Sequence, residues 1–195
     1  MKRIQALALF LALAPLGPGA SRGQMYQLPP PVDIPIQNIL QETPVWCWVA
    51  VAQQIIAAVA GPARTPPQCA LVAIANNAHP DVCCRLANPA CVVTGSFPQV
   101  RGLIAQFGGA QSALAPPTDA MTLYQTLASG RPIILEVQTG FASTHVVVLR
   151  GMSFVPTPNG PQALLHINDP MAYFTQPVPF QNLLPVWRSA IVVSR

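Results

Sequence analysis

The spacing of apolar residues changes character twice along this chain. Residues 4–16 are a predominantly apolar run of 13 behind Lys2 and Arg3, short of the ~20 residues that a bilayer span requires. Residues 24–35 are rich in proline and without period, and predict extended chain. From residue 45 to residue 60 the chain is apolar on every face except at Gln53 and Gln54, and it stops at Gly61-Pro62. That pattern predicts a buried helix, with Thr43 as its cap and Pro44 in its first position, where a missing N–H costs nothing. Further helices are predicted over 67–78, over 96–107 before Gly108-Gly109, and from Pro117-Thr118-Asp119 to Gly130. Beyond Gly130 the segments shorten. Residues 132–138, 145–150, 163–168 and 188–194 are rich in β-branched and aliphatic side chains and are bounded by turn residues, as strands are. Helices followed by strands, with no internal repeat, predict the α+β class.

The first apolar run has the layout of a secretory signal. A basic start, a 13-residue apolar centre and the small residues Gly17-Pro18-Gly19-Ala20-Ser21 predict a leader over 1–22, cut between residues 19 and 23, and a mature domain over 23–195. The leader also distorts the charge. The full chain of 195 residues carries +4. Without Lys2, Arg3 and Arg22, seven basic residues face six acidic ones, which argues against nucleic-acid binding. Hydrophobic residues make up 51% of the chain and charged residues 8%, enough apolar surface for a substantial core.

Export gives the five cysteines a meaning. Cys69, Cys83, Cys84 and Cys91 should be oxidised. Adjacent Cys83 and Cys84 bridge each other only with strain, so two frameworks stay open: Cys69–Cys83 with Cys84–Cys91, or Cys69–Cys84 with Cys83–Cys91. Each bridge is worth about 2–4 kcal/mol. A zinc site adding His79 lacks paired C-x-x-C knuckles. Cys47 is left over, in Gln41-Glu42-Thr43-Pro44-Val45-Trp46-Cys47-Trp48. A thiol at a helix start feels the positive end of the helix dipole, which favours thiolate. It then needs a base, and that base an orienting group. His145 opens a strand after the small-residue turn 139–144, and Asp169 ends the neighbouring strand. His166 lies among apolar residues and reads as a core histidine.

Together these residues resemble the papain-like cysteine proteases: a Gln six before the Cys, Cys-Trp at a helix start, a His followed six residues later by Gly151, then a strand ending in Asn or Asp. The resemblance spans 41–170 and is closest to small secreted bacterial members with a Trp-Cys-Trp centre, a Cys-Cys pair and an Asp-Pro third site. It departs from the plant and lysosomal enzymes, which carry Cys-Gly-Ser where this chain has Pro44-Val45-Trp46, and whose orienting Asn is here either Asp169 or Asn168. The resemblance implies a two-lobed fold, with a helical N-terminal lobe bearing the nucleophile and a C-terminal antiparallel sheet. It implies Cys47 as nucleophile, His145 as base, Asp169 as orienter, and Gln41 with the Cys47 N–H as oxyanion hole. The expected activity is hydrolysis of peptide bonds in a peptide or protein substrate. The expected protein is a monomer, secreted or periplasmic, that uses no metal or cofactor and leaves the membrane once its leader is cut. Two alternatives share the pattern: acyl transfer to an amine, and an inactive binding module of the same fold.

Overall fold

The computed structural model describes residues 27–85 and 88–194. The leader read at residues 1–22 lies outside them. An extended entry contains β1 (Val32–Asp33) and leads to α1 (Cys47–Ala60), α2 (Gln68–Ala75), the single turn α3 (Asp81–Cys84) and α4 (Phe97–Leu103). A π-type turn, Ile104–Gly108, extends α4 to Gly109, whose φ of 66° is left-handed and ends it, a conformation open to glycine at little cost. Then follow β2 (Gln111–Ala115), α5 (Ala120–Ala128), β3 (Ile133–Gln138), β4 (Thr144–Thr157), β5 (Gly160–Asn168), β6 (Val178–Pro179), α6 (Phe180–Leu183) and β7 (Trp187–Ser194).

The described strands form one antiparallel sheet in the order β2-β7-β3-β4-β5-β6, with β1 paired to β4. The long strand β4 organises it. Its first half, Thr144 to Leu149, pairs with β3, and its second half pairs with β5 and, at Gly151 and Met152, with β1. The register slips between Leu149 and Gly151. Gly151 is required there, because a Cβ would collide with the Val32 carbonyl of β1.

Both faces of the central strands are buried. Ile134, Val146, Val148, Ile191 and Val193 pack against α1 and α4. Ile133, Leu135, Val137, Val147 and Leu149 pack against α5, α6 and β5. Burial on two faces explains why these strands read as continuous apolar runs rather than alternating ones. Two cores divided by the sheet make this the expected α+β arrangement.

Differences from the sequence expectation lie at element ends. Helix α1 begins at Cys47, not at Pro44. The Thr43 carbonyl accepts from the Trp46 N–H (3.2 Å) and the Gln41 amide (2.7 Å), closing a turn. The first helical bond is Ala50 N–H to the Trp46 carbonyl, 2.9 Å. Strand β4 runs seven residues past Arg150, because pairing with β5 and β1 outweighs the weak strand preference of Gly151 and Pro156. The edge strands β1, β2 and β6 carry no clear pattern, since edge strands are short and half solvated.

The entry segment 36–42, buried at Ile36 and exposed at Leu40, is held by buried amides. Gln68 grips the backbone on both sides of Gln41, accepting from the Glu42 N–H (3.0 Å) and donating to the Leu40 carbonyl (2.8 Å). Fully buried Gln54 donates to the Ile39 carbonyl and to Asn38, both at 3.1 Å. Asn168 donates to the Ile36 carbonyl at 2.8 Å. Replacing Gln68 by Leu strips partners from the part-buried backbone groups of Leu40 and Glu42, so Gln68→Leu should lower unfolding free energy by about 0.5–1.5 kcal/mol in denaturant titration. A neutral substitution would mean that the segment is held in another way.

Candidate active site

Cys47 is the first residue of α1, so its side chain sits where the free N–H groups of the helix point. The two tryptophans beside it hold the helix start. The Trp46 indole N–H donates to the Cys91 carbonyl at 2.9 Å, and that of Trp48 to the Val93 carbonyl at 3.1 Å. Both rings are buried. Gly95 lies so close over Trp48 that any Cβ would strike the indole. The segment receiving these bonds is itself stapled, since the disulfides are Cys69–Cys84 and Cys83–Cys91. The second of the two open frameworks is therefore the one formed. Cys47 is the free cysteine among the described residues.

His145 stands second in β4 and is only 3% exposed. Its Nε2 lies 2.6 Å from Asp169 Oδ1, which leaves Nδ1 for Cys47, one of the groups that act on the ring. Burial alone would depress the His145 pKa. Hydrogen bonds to Asp169 and Cys47, and the negative charge of both, overrule it and raise the pKa from 6.5 to about 9. The Tyr173 ring lies 6.3 Å from the imidazole, centre to centre.

Asp169 follows β5 and is wholly buried. Four donors surround it. Oδ1 accepts from His145 and from the Met171 N–H (2.9 Å), and Oδ2 from the N–H groups of Tyr173 (2.9 Å) and Phe174 (3.1 Å). Burial pushes its carboxyl up, but the bonds from His145, Met171 and Phe174 and the charge of His145 hold it below the usual carboxylate value. Its own carbonyl accepts from Asn38 at 3.0 Å. The neighbouring Asn168 is committed elsewhere, to Ile36 and to Arg150 Nε (3.0 Å).

The structure thus brings Cys47, His145 and Asp169 together. Gln41 lies on the other side of the Cys47 turn, in a shallow depression with Thr43, Pro44 and Pro170 to Ala172. Its backbone N–H donates to the Pro170 carbonyl at 3.1 Å, and its side-chain Nε2 to Thr43. His79 is exposed beside Asp81. His166 faces Ser153 Oγ at 2.9 Å, and neither histidine joins the cluster.

Next to Cys47 opens a cavity of about 330 Å³. Val45, Trp48, Phe97 and Val146 form apolar wall, Thr94 to Ser96 one rim, and Glu136 of β3 a carboxylate within it. Glu136 is the one charge in the apolar run 132–137, a signal that the sequence does carry. Gln54, Gln68 and Asn38 carry none, since their roles depend on long-range partners.

The family model of the papain-like cysteine protease AvrRpt2 matches residues 30–182, which includes Cys47, His145 and Asp169. The chain belongs to that family. The protease also shares its fold with a C39-like peptidase from Bacillus anthracis, at a TM-score of 0.53 and 14% identity over 86% of this chain and 98% of that one. No curated protein sequence is a significant match. Family and fold agree with the site in making the protein a cysteine peptidase.

The four-donor cradle predicts an asymmetry between Asp and Asn at position 169. An amide can accept on one atom only, so Asp169→Asn turns an N–H₂ towards at least one part-buried backbone N–H. Unfolding free energy should fall by about 1–3 kcal/mol for each group left unpaired. An Asp169→Asn variant as stable as the parent in denaturant titration would contradict the cradle.

Proposed function

We propose that the protein is an exported peptidase that cleaves peptide bonds through Cys47, His145 and Asp169, with Gln41 in the oxyanion hole. The observation carrying this reading is the His145 ring shared between Cys47 and Asp169 at the N-terminus of α1. A protonated imidazole between two anions keeps the thiolate charged, and the helix terminus favours the same state.

The thiolate attacks the scissile carbonyl carbon, and the carbonyl electrons move onto oxygen. The Cys47 N–H, free of an intrahelical partner by its position, donates to that oxyanion. Gln41 Nε2 spends one hydrogen on Thr43 and retains a second, which is the donor assigned to it here. As the tetrahedral adduct collapses, His145 protonates the leaving amine. Water then attacks the thioester, His145 takes its proton, and the carboxylic acid departs with Cys47 restored. Asp169 stays ionised and fixes the ring with Nδ1 towards sulfur.

Export is supported by the basic-apolar-small pattern of residues 1–22 and by two disulfides, which persist in oxidising compartments.

Reactivity of the thiol and turnover should respond differently to substitution. His145→Ala should abolish peptide hydrolysis and slow alkylation of Cys47 by iodoacetamide. Gln41→Ala should lower kcat by about 10²–10³, if the effect of an oxyanion donor in a serine protease carries over, with little change in KM. It should leave alkylation near the parent rate, because the ion pair does not need Gln41. Parallel loss of alkylation and turnover in Gln41→Ala would instead make Gln41 a support for the helix start.

A further inference from the structure

Glu136 is a carboxylate with more capacity than its surroundings use. It sits in β3 between buried Leu135 and Val137 and reaches the cavity that Cys47 also lines. Ser189 Oγ–H donates to Oε2 at 2.5 Å. Among the described residues no Lys, Arg or His forms an ion pair with it. A half-buried carboxylate in a recess whose other polar side chains are the hydroxyls of Thr94, Ser96 and Thr144 is stabilised when a cation meets it.

The recess also fits one shape of cation. Its volume of about 330 Å³ is at the lower end for ligand pockets, suited to one side chain rather than a folded ligand. Val45, Trp48, Phe97 and Val146 can cover a methylene stem while Glu136 receives the charged tip, the division of polarity that Lys and Arg carry. Glu136 is paired with Val146, next in sequence to His145, so an occupant of the recess belongs to a residue close to the scissile bond.

We propose that Glu136 selects substrates with a Lys or Arg side chain at the position that enters the recess beside Cys47. This rests on the peptidase reading above and gives that site its substrate class. A free α-amino group is the same chemistry from a second source. The apolar walls favour a side chain, and an N-acetylated substrate set excludes the other.

The test uses a synthetic N-acetylated peptide library with the mature protease and its Glu136→Gln variant, read by mass spectrometry of the products. Gln keeps an acceptor for Ser189, and the thermal midpoint of the variant checks its folding. The wild-type protease should show Lys and Arg enriched at one fixed position within three residues of the cleaved bond. In Glu136→Gln the kcat/KM ratio of Lys over norleucine at that position should fall by about tenfold or more. Cleavage without a basic preference, or a preference that survives in a folded Glu136→Gln, overturns the role of Glu136 and leaves the peptidase reading intact. Failure to cleave any peptide, with no alkylation of Cys47, overturns both.

Discussion

A carboxylate taken wholly out of water must be surrounded by donors, and the structure around Asp169 is arranged to supply them. The loop after β5 turns back so that the N–H groups of Met171, Tyr173 and Phe174 converge on it, leaving one lone pair for His145. An isolated buried charge would cost far more than a small domain can sustain. Four hydrogen bonds convert that liability into a fixed point. The ring of His145 is positioned from this point, and the ring in turn faces Cys47. The backbone of Asp169 is held as well, because Asn38 bonds its carbonyl while Gln54 holds Asn38.

The same logic extends to both sides of the cleft. On one side, Gln68 and Gln54 hold the entry segment that carries Gln41, and Gln41 itself is tied to Pro170 beside the carboxylate. On the other, the Cys83–Cys91 bridge fixes the stretch that receives Trp46 and Trp48 and then runs past Gly95 along the recess. Rigid support from two cores and a disulfide staple suits a site in which atoms must be held close to their working geometry. Cutting the disulfide framework would loosen the wall of the recess before it touched the Asp169–His145 contact.

Much of this was legible in the sequence. Cys47 declared itself by arithmetic, as the cysteine without a partner. His145 and Asp169 followed from strand ends, where side chains can face a cleft. The strands read at 132–138 and 188–194 were visible because their buried centres, 133–135 and 190–193, are continuously apolar. The start of α1 was not legible, because Thr43 looks like a cap while its carbonyl is claimed by Gln41 and Trp46. Nor was the second half of β4, where Gly151 is required by the passage of β1 and not by a turn. The choice between Asp169 and Asn168 also needed coordinates, since both are polar ends of the same strand and differ only in which neighbours reach them. The disulfide pairing was open for the same reason.

In the proposed mechanism one proton is shared between His145 and Cys47. With a pKa of 6.5 in the unfolded chain and about 9 in the native protein, His145 stabilises the fold in full below pH 6.5, and that contribution is lost as pH rises through about 9. The most direct measurement is the titration of the His145 ring by NMR, in the parent and in Cys47→Ala. The expected midpoint is near 9 in the parent and lower without the thiol. A midpoint near the ordinary histidine value of about 6.5, indifferent to Cys47, would contradict a proton shared between His145 and the thiol.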